Sequence, residues 1–172
     1  MASYTQITNN IFIGNIYTAI QSKPNEEDYI EKLKIKVVIS ALTEEEYEDY
    51  MIGEEDFPGI DWYRFVIDDC QRENILQCFF TVYKIIDKSI LEGKNILIHC
   101  AAGVSRSPTL GIAYLMIDNK WSTEEAVDYV RKKRPEIDPN VGFMRQLKML
   151  EYKLKLSDTI LTADEKLKDK TD

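Results

Sequence analysis

Residues 95–110, Asn-Ile-Leu-Ile-His-Cys-Ala-Ala-Gly-Val-Ser-Arg-Ser-Pro-Thr-Leu, constrain the fold of this chain more than any other stretch. The run Ile96-Leu97-Ile98 is short, aliphatic and bounded by polar residues, the pattern of a strand buried on both faces. A helix is predicted to open near Arg106, because Pro108 then falls in its first turn, where a missing N–H costs little. A strand that passes through a short loop into a helix N-terminus is the core of an α/β fold, and its loop can bind an anion. Backbone N–H groups and the helix dipole converge there. Ala101, Ala102 and Gly103 are small enough to let the anion approach the backbone, and Val104 and Ser105 complete the cradle. Arg106 can grip two phosphate oxygens with its planar fork. Cys100 lies at the base, in a positive field that favours its thiolate. A thiolate beneath a bound phosphate is a nucleophile.

Strand and helix patterns alternate along the rest of the chain. Ile11 to Gly14 reads as a short strand ending in a turn. Asn25 can cap a helix that carries Glu26, Glu27 and Asp28 in its first turn and Tyr29, Ile30 and Leu33 on one face. Ile35 to Ile39 is a strand, and Thr43 followed by three glutamates marks a helix start. Gly53, Pro58 and Gly59 mark a loop. Asp61 to Ile67, rich in aromatic and β-branched residues, is the next strand. Ile75, Phe79, Val82, Ile86 and Ile90 recur at helical spacing, with Gly93 as the stop. Residues 106–118 read as a helix buried on most sides. Ser122-Thr-Glu-Glu125 is a capping box that opens another helix, which Pro135 ends. A last helix starts near Val141, with Phe143, Leu147, Leu150 and Leu154 on one face.

The expected architecture is a single α/β domain, a central, mostly parallel, twisted sheet flanked by helices, with the ligand at the C-terminal ends of the strands. Residues 1–156 form this domain. Residues 157–172, charged and poor in large apolar groups, read as a mobile tail or a loosely docked terminal turn.

A chain of 172 residues can bury a real core, and no apolar run approaches the length of a membrane span. The first residues have neither the basic start nor the apolar core of a signal peptide. The net charge of −8 argues against non-specific binding to nucleic acid or an anionic membrane. Three cysteines suit a reducing compartment, the cytoplasm or the nucleus, and with one histidine they make no zinc pattern, so no metal or other cofactor is implied.

Phosphoryl transfer to Cys100 needs a proton for the leaving oxygen, and a carboxyl group can supply it and later take one from water. Asp68 and Asp69 are the candidates. Neighbours on an extended chain point opposite ways, so one of them faces the site. His99 is adjacent to Cys100 on a strand end, where side chains rarely meet, so it is not a general base. Arg131, Lys132, Lys133 and Arg134 form the one basic run. It reads either as cations at a helix C-terminus or as a secondary site for an acidic or doubly phosphorylated substrate.

His99-Cys100-x5-Arg106-Ser107 resembles the signature loop of the cysteine-dependent protein phosphatases. The match is closest to the dual-specificity phosphatases. Ile7 to Asn15, Ser105-Arg-Ser-Pro-Thr-Leu, Ala113-Tyr-Leu-Met116 and Arg134-Pro-x-Ile-x-Pro-Asn140-x-Gly-Phe-x-x-Gln-Leu147 carry it, over about residues 5–155. No counterpart of the phosphotyrosine-recognition loop of the larger tyrosine-only enzymes is visible. The resemblance implies hydrolysis of phosphotyrosine and phosphoserine or phosphothreonine in a phosphoprotein substrate, through a phosphocysteine on Cys100 with Arg106 holding the phosphate. It also implies Asp69 as the acid, by spacing to Ile75 and Phe79. His99 would bond within the loop backbone and help keep Cys100 ionised. Ser107 would donate to the Cys100 sulfur or act as a polar group in the first helical turn. Asn140 would brace the site or cap the last helix. The rival readings are a phosphatase of RNA 5′ ends or phosphoinositides on the same scaffold, which the lysine-free loop disfavours, and a catalytically weak phosphopeptide-binding module. Cys70 and Cys78 are candidates for trapping an oxidised Cys100 as a disulfide.

Overall fold

Strand β5 (Asn95–His99) lies at the centre of a five-stranded sheet. Its neighbours are β2 (Ile11–Gly14) and β3 (Ile35–Leu42), both parallel to it, with β4 (Asp61–Val66) parallel to β3 at one edge. β1 (Tyr4–Gln6) closes the other edge antiparallel to β2. The computed structural model describes residues 3–20, 28–53, 55 and 57–168, with side chains as far as Ser157.

Alternation along the strands divides the core in two. Ile96 and Ile98 of β5 join Val37, Ile39 and Ala41 of β3 on one face, while Leu97 joins Val38 and Leu42 on the other. The first face is covered by α4 (Phe79–Leu91), α5 (Arg106–Asn119), α6 (Thr123–Lys133) and α7 (Val141–Lys168). The second is covered by the short helices α1 (Ile16–Ala19), α2 (Tyr29–Lys32) and α3 (Glu44–Asp49), with Phe57. Residues 106–116 of α5 are buried without a break, because the helix lies between the sheet and its three helical neighbours.

Thr43 and Ser122 each form a reciprocal capping box, with Glu46 and Glu125. Elsewhere the chain departs from expectation. The cap of α2 is the Asp28 side chain, bonded to Glu31 N–H, and Asn25 lies outside the described residues. Residues Ile75–Cys78 form a 3-10 turn, so the regular helix starts at Phe79 and Cys78 stands at its mouth. The backbone of α7 continues to Lys168, so the segment read as a tail or terminal turn is helical as far as that residue. Among the described residues no helix is long and apolar enough to cross a membrane.

This topology gathers the C-terminal ends of four parallel strands on one edge. Gly14, the turn into α3, the Ile67–Asp69 segment and Cys100 all lie there, where an α/β sheet binds its ligand.

Candidate active site

Cys100 follows the last residue of β5 and is 1% exposed. The loop after it is turned by Gly103, whose φ of +71° an L side chain resists. Its carbonyls are bonded away from the sulfur. Ala101 O accepts from Ile16 N–H at 3.1 Å, Val104 O from Asp138 N–H at 2.8 Å, and Ser105 O from Thr109 N–H at 3.0 Å. Gly103 O accepts from Arg134 Nε at 2.9 Å. A peptide unit is planar and trans, so each outward carbonyl turns the following N–H the other way. The N–H groups of Ala102, Val104, Ser105 and Arg106 thereby face away from those partners. The Gly103 N–H donates to Cys100 Sγ at 3.2 Å. Ser107 Oγ lies 3.3 Å from the same sulfur and 3.3 Å from Gly14 O.

Arg106 is 5% exposed. Its Nη1 and Nη2 both bond the Glu46 carboxylate, the second at 2.8 Å, and Nη1 also donates to Ile67 O at 3.3 Å. Nε, on the other edge of the guanidinium, has no hydrogen-bond partner and lies 3.9 Å from Asp69 Oδ2. Glu46 therefore holds the far end of the fork and leaves the Nε edge for an anion. Burial pushes the Arg106 pKa down, but the Glu46 hydrogen bond and the nearby Cys100 and Asp69 charges leave it raised. Burial acts on Glu46 too, upward, and Arg106 and the Thr43 N–H outweigh it, so its carboxyl lies below the usual range.

Of the two aspartates, Asp69 is the one brought to the loop. Its Oδ1 accepts from Ser105 Oγ at 2.7 Å and from Asn140 Nδ2 at 2.9 Å. The backbone N–H of Asp68 bonds Glu73 instead, and its side chain is exposed. Asn140 both braces and caps: its Oδ1 accepts from Phe143 N–H at 3.0 Å, in the first turn of α7. A Cβ on Gly142 would collide with Gln71 O, so only glycine lets α7 start this close to the Asp69 loop.

A Cys-x5-Arg loop between a parallel strand and a buried helix, with a carboxylate beside the arginine, invites comparison with known proteins. The sequence matches the family model described as dual specificity phosphatase, catalytic domain, over residues 16–153. The chain belongs to the dual specificity phosphatase family. It is 36% identical over 148 residues to tyrosine-protein phosphatase vhp-1 of Caenorhabditis elegans, covering 86% of this chain and 21% of that protein. It is 45% identical over 83 residues to tyrosine-protein phosphatase yvh1 of Schizosaccharomyces pombe, covering 48% of this chain and 25% of that one. The chain thus spans a quarter or less of these two relatives. Among solved structures it resembles the human tyrosine phosphatase-like serine/threonine/tyrosine-interacting protein, with a TM-score of 0.78 at 29% identity over 87% of this chain and 95% of that one. It also resembles the Yvh1 phosphatase domain from Chaetomium thermophilum, with a TM-score of 0.69 at 28% identity over 86% and 94%.

In this member of the family the histidine of the signature loop is tied to the sheet. His99 Nε2 lies 2.6 Å from Ser40 Oγ, which accepts from Trp62 Nε1 at 2.8 Å. Indole only donates, so Ser40 Oγ accepts from Trp62 and shares a second hydrogen bond with His99 Nε2, whose direction follows the ring's tautomer. Complete burial pushes the His99 pKa down to about 4, although the Cys100 backbone favours the protonated ring. The imidazole is neutral near pH 7 and supplies no positive charge to the loop.

The basic run divides. Arg131 and Lys132 are exposed, Lys133 lies 5.1 Å from the centre of the Tyr129 ring, and Arg134 is fully buried behind the loop. Cys70 is exposed and Cys78 half-buried, with a thiol pKa that burial and Glu73 raise, and all three cysteines are free.

Glu46, Ser40 and Trp62 escaped the sequence reading. Glu46 had a visible local role as the third residue of the Thr43 capping box, and that role is real. Nothing local marks its second partner, 60 positions away. Truncating one member of a fully buried ion pair typically costs about 3–5 kcal/mol, and this pair, with the Glu46 side chain 24% exposed, falls short of that limit. Glu46→Ala is therefore expected to lower kcat/KM for an aryl phosphate by about ten- to a hundredfold, with a fall in Tm. Steady-state kinetics beside a thermal melt checks this. Unchanged kcat/KM would mean that Ile67 O alone holds Arg106 in place.

Proposed function

We propose that this chain is a protein phosphatase that hydrolyses phosphotyrosine and phosphoserine or phosphothreonine through a phosphocysteine on Cys100. The observation that carries the reading is the meeting of four groups: Cys100 Sγ, the Gly103 N–H, the open Nε edge of Arg106 and the Asp69 carboxyl. Phosphate oxygens sit on the loop N–H groups and on Arg106. The Cys100 thiolate attacks phosphorus, the bond to the substrate oxygen breaks, and Asp69 protonates that oxygen as it leaves. Asp69, now a carboxylate, takes a proton from water as the water attacks the phosphocysteine. The S–P bond breaks and Cys100 departs as a thiolate. The single proton of Ser107 has two acceptors within reach, Gly14 O and Cys100 Sγ, and growing charge on sulfur draws it there.

The family match over residues 16–153 supports a catalytic domain at 1–156, with 157–172 outside it. Three free cysteines fit a reducing compartment, the cytoplasm or the nucleus. The test is a panel of phosphotyrosyl, phosphoseryl and phosphothreonyl peptides beside phosphoinositide head groups and triphosphate RNA. The highest kcat/KM is expected on the peptides. A preference for lipid head groups or RNA would overturn the substrate class, and no turnover of an aryl phosphate would overturn the enzyme.

A further inference from the structure

Arg134 is the bulkiest fully buried side chain among the described residues. It follows α6, at the end of the basic run, yet it points inward. Its Nε donates to Gly103 O at 2.9 Å and its Nη1 to Thr5 Oγ1 at 3.2 Å. Nη1 also lies 3.3 Å from Glu136, whose side chain is 22% exposed. A Cβ built on Gly103 would stand 2.8 Å from Arg134 Nη2, so the guanidinium lies directly against that glycine.

Two features of this contact concern the anion site on the other side of the loop. Gly103 O and the Val104 N–H belong to one planar peptide. A carbonyl held toward Arg134 turns that N–H away from Arg134, to the side of the Cys100 sulfur. The second feature is the charge. Burying a guanidinium costs much desolvation, and a neutral donor such as glutamine could satisfy Gly103 O without it. Glu136, 3.3 Å from Nη1, is one counter-charge, and an anion in front of the loop would be a second. Burial lowers the Arg134 pKa, and the Glu136 and Cys100 charges oppose that fall.

We propose that Arg134 is a positioning residue for the phosphatase site: from behind the loop it orients the Gly103–Val104 peptide and supplies a fixed positive charge to the Cys100 thiolate and the bound phosphoryl group. This rests on Cys100 being the nucleophile. Glu136 competes with that anion for the same guanidinium. The two arginines divide the work, Arg106 touching the phosphate and Arg134 acting through the backbone and the field.

The experiment compares Arg134→Gln, Arg134→Lys and Glu136→Gln with wild type, corrected for folded fraction by thermal melts. The readouts are inhibition by inorganic phosphate and the pH profile of Cys100 alkylation by iodoacetamide, with turnover of an aryl phosphate measured alongside. Loss of one charge-assisted interaction predicts phosphate inhibition about tenfold weaker in Arg134→Gln, with the alkylation profile moved to higher pH. Arg134→Lys should recover part of both. Glu136→Gln should shift both the opposite way, and it decides the matter alone if Arg134→Gln does not fold. Wild-type inhibition and alkylation profiles in the folded variants would reduce Arg134 to a strut between the loop and β1. If alkylated wild type still turns over, the nucleophile assignment fails instead, an outcome that the Arg134 variants cannot mimic.

Discussion

Cys100→Ser is expected to lower turnover of every phosphomonoester by more than about 10⁵-fold, because a serine hydroxyl stays protonated near neutral pH and is a poor nucleophile. The substitution is nearly isosteric, and the two groups that bond the sulfur, the Gly103 N–H and Ser107 Oγ, can bond a serine hydroxyl in its place. The carbonyls of Ala101, Gly103, Val104 and Ser105 keep their outward partners, so the loop N–H groups keep their orientation. Arg106 keeps its clamp on Glu46. Phosphopeptide binding, measured by calorimetry, should therefore survive while hydrolysis disappears. Steady-state hydrolysis by this variant, clear of contaminating enzyme, would sink the covalent mechanism. Loss of binding together with turnover would mean that the thiolate itself organises the loop.

Asp69→Asn separates substrates by their leaving groups. Alkyl phosphates such as phosphoserine leave as poor alkoxides and need the proton, so their rate should fall by about 10²–10⁴-fold. Aryl phosphates with acidic leaving groups depart with little protonation and should lose far less. The amide can keep its place, because its oxygen can still accept from Ser105 Oγ and Asn140 Nδ2, the two donors on Asp69 Oδ1. Asn140→Ala, which removes one of those donors, should show the same leaving-group pattern in milder form. Asp68→Asn should change little, since the hydrogen bonds from Ser105 and Asn140 go to Asp69 and not to Asp68. A leaving-group dependence carried by Asp68 would move the acid by one residue and leave the nucleophile where it is. No discrimination in either variant would place the acid elsewhere or make another step rate-limiting.

The sequence by itself determined what local chemistry can encode. Alternating aliphatic residues in β3 and β5 specify a strand with two buried faces, and the Ile96–Ile98 run carried that message plainly. The Thr43 and Ser122 caps were legible because a capping box is complete within four successive residues. The signature loop was legible for the same reason, since a strand end, a tight turn and a helix start are neighbours in the chain. Element starts set by competition between geometries were less legible. Residues 75–78 have helical spacing, yet they wind as a 3-10 turn, with Gln146 of α7 accepting the Leu76 N–H.

Tertiary structure decided which side chains meet. β3 lies beside β5, so the helix after β3 lands next to the signature loop and Glu46 clamps Arg106 across 60 residues of chain. The same adjacency puts Ser40 against His99 and sends that ring's hydrogen bond to the sheet. Asp69 meets the signature loop and Asp68 does not because Ser105 and Asn140, from two other parts of the chain, capture only one of two adjacent carboxylates. Arg134 sits in a basic run like any solvated helix end, and only the loop packed over it turns that cation inward. Hydrophobic periodicity and caps act over a few residues and can be read along the chain. Partners brought together by strand order act across it, and they exist only once the sheet has formed.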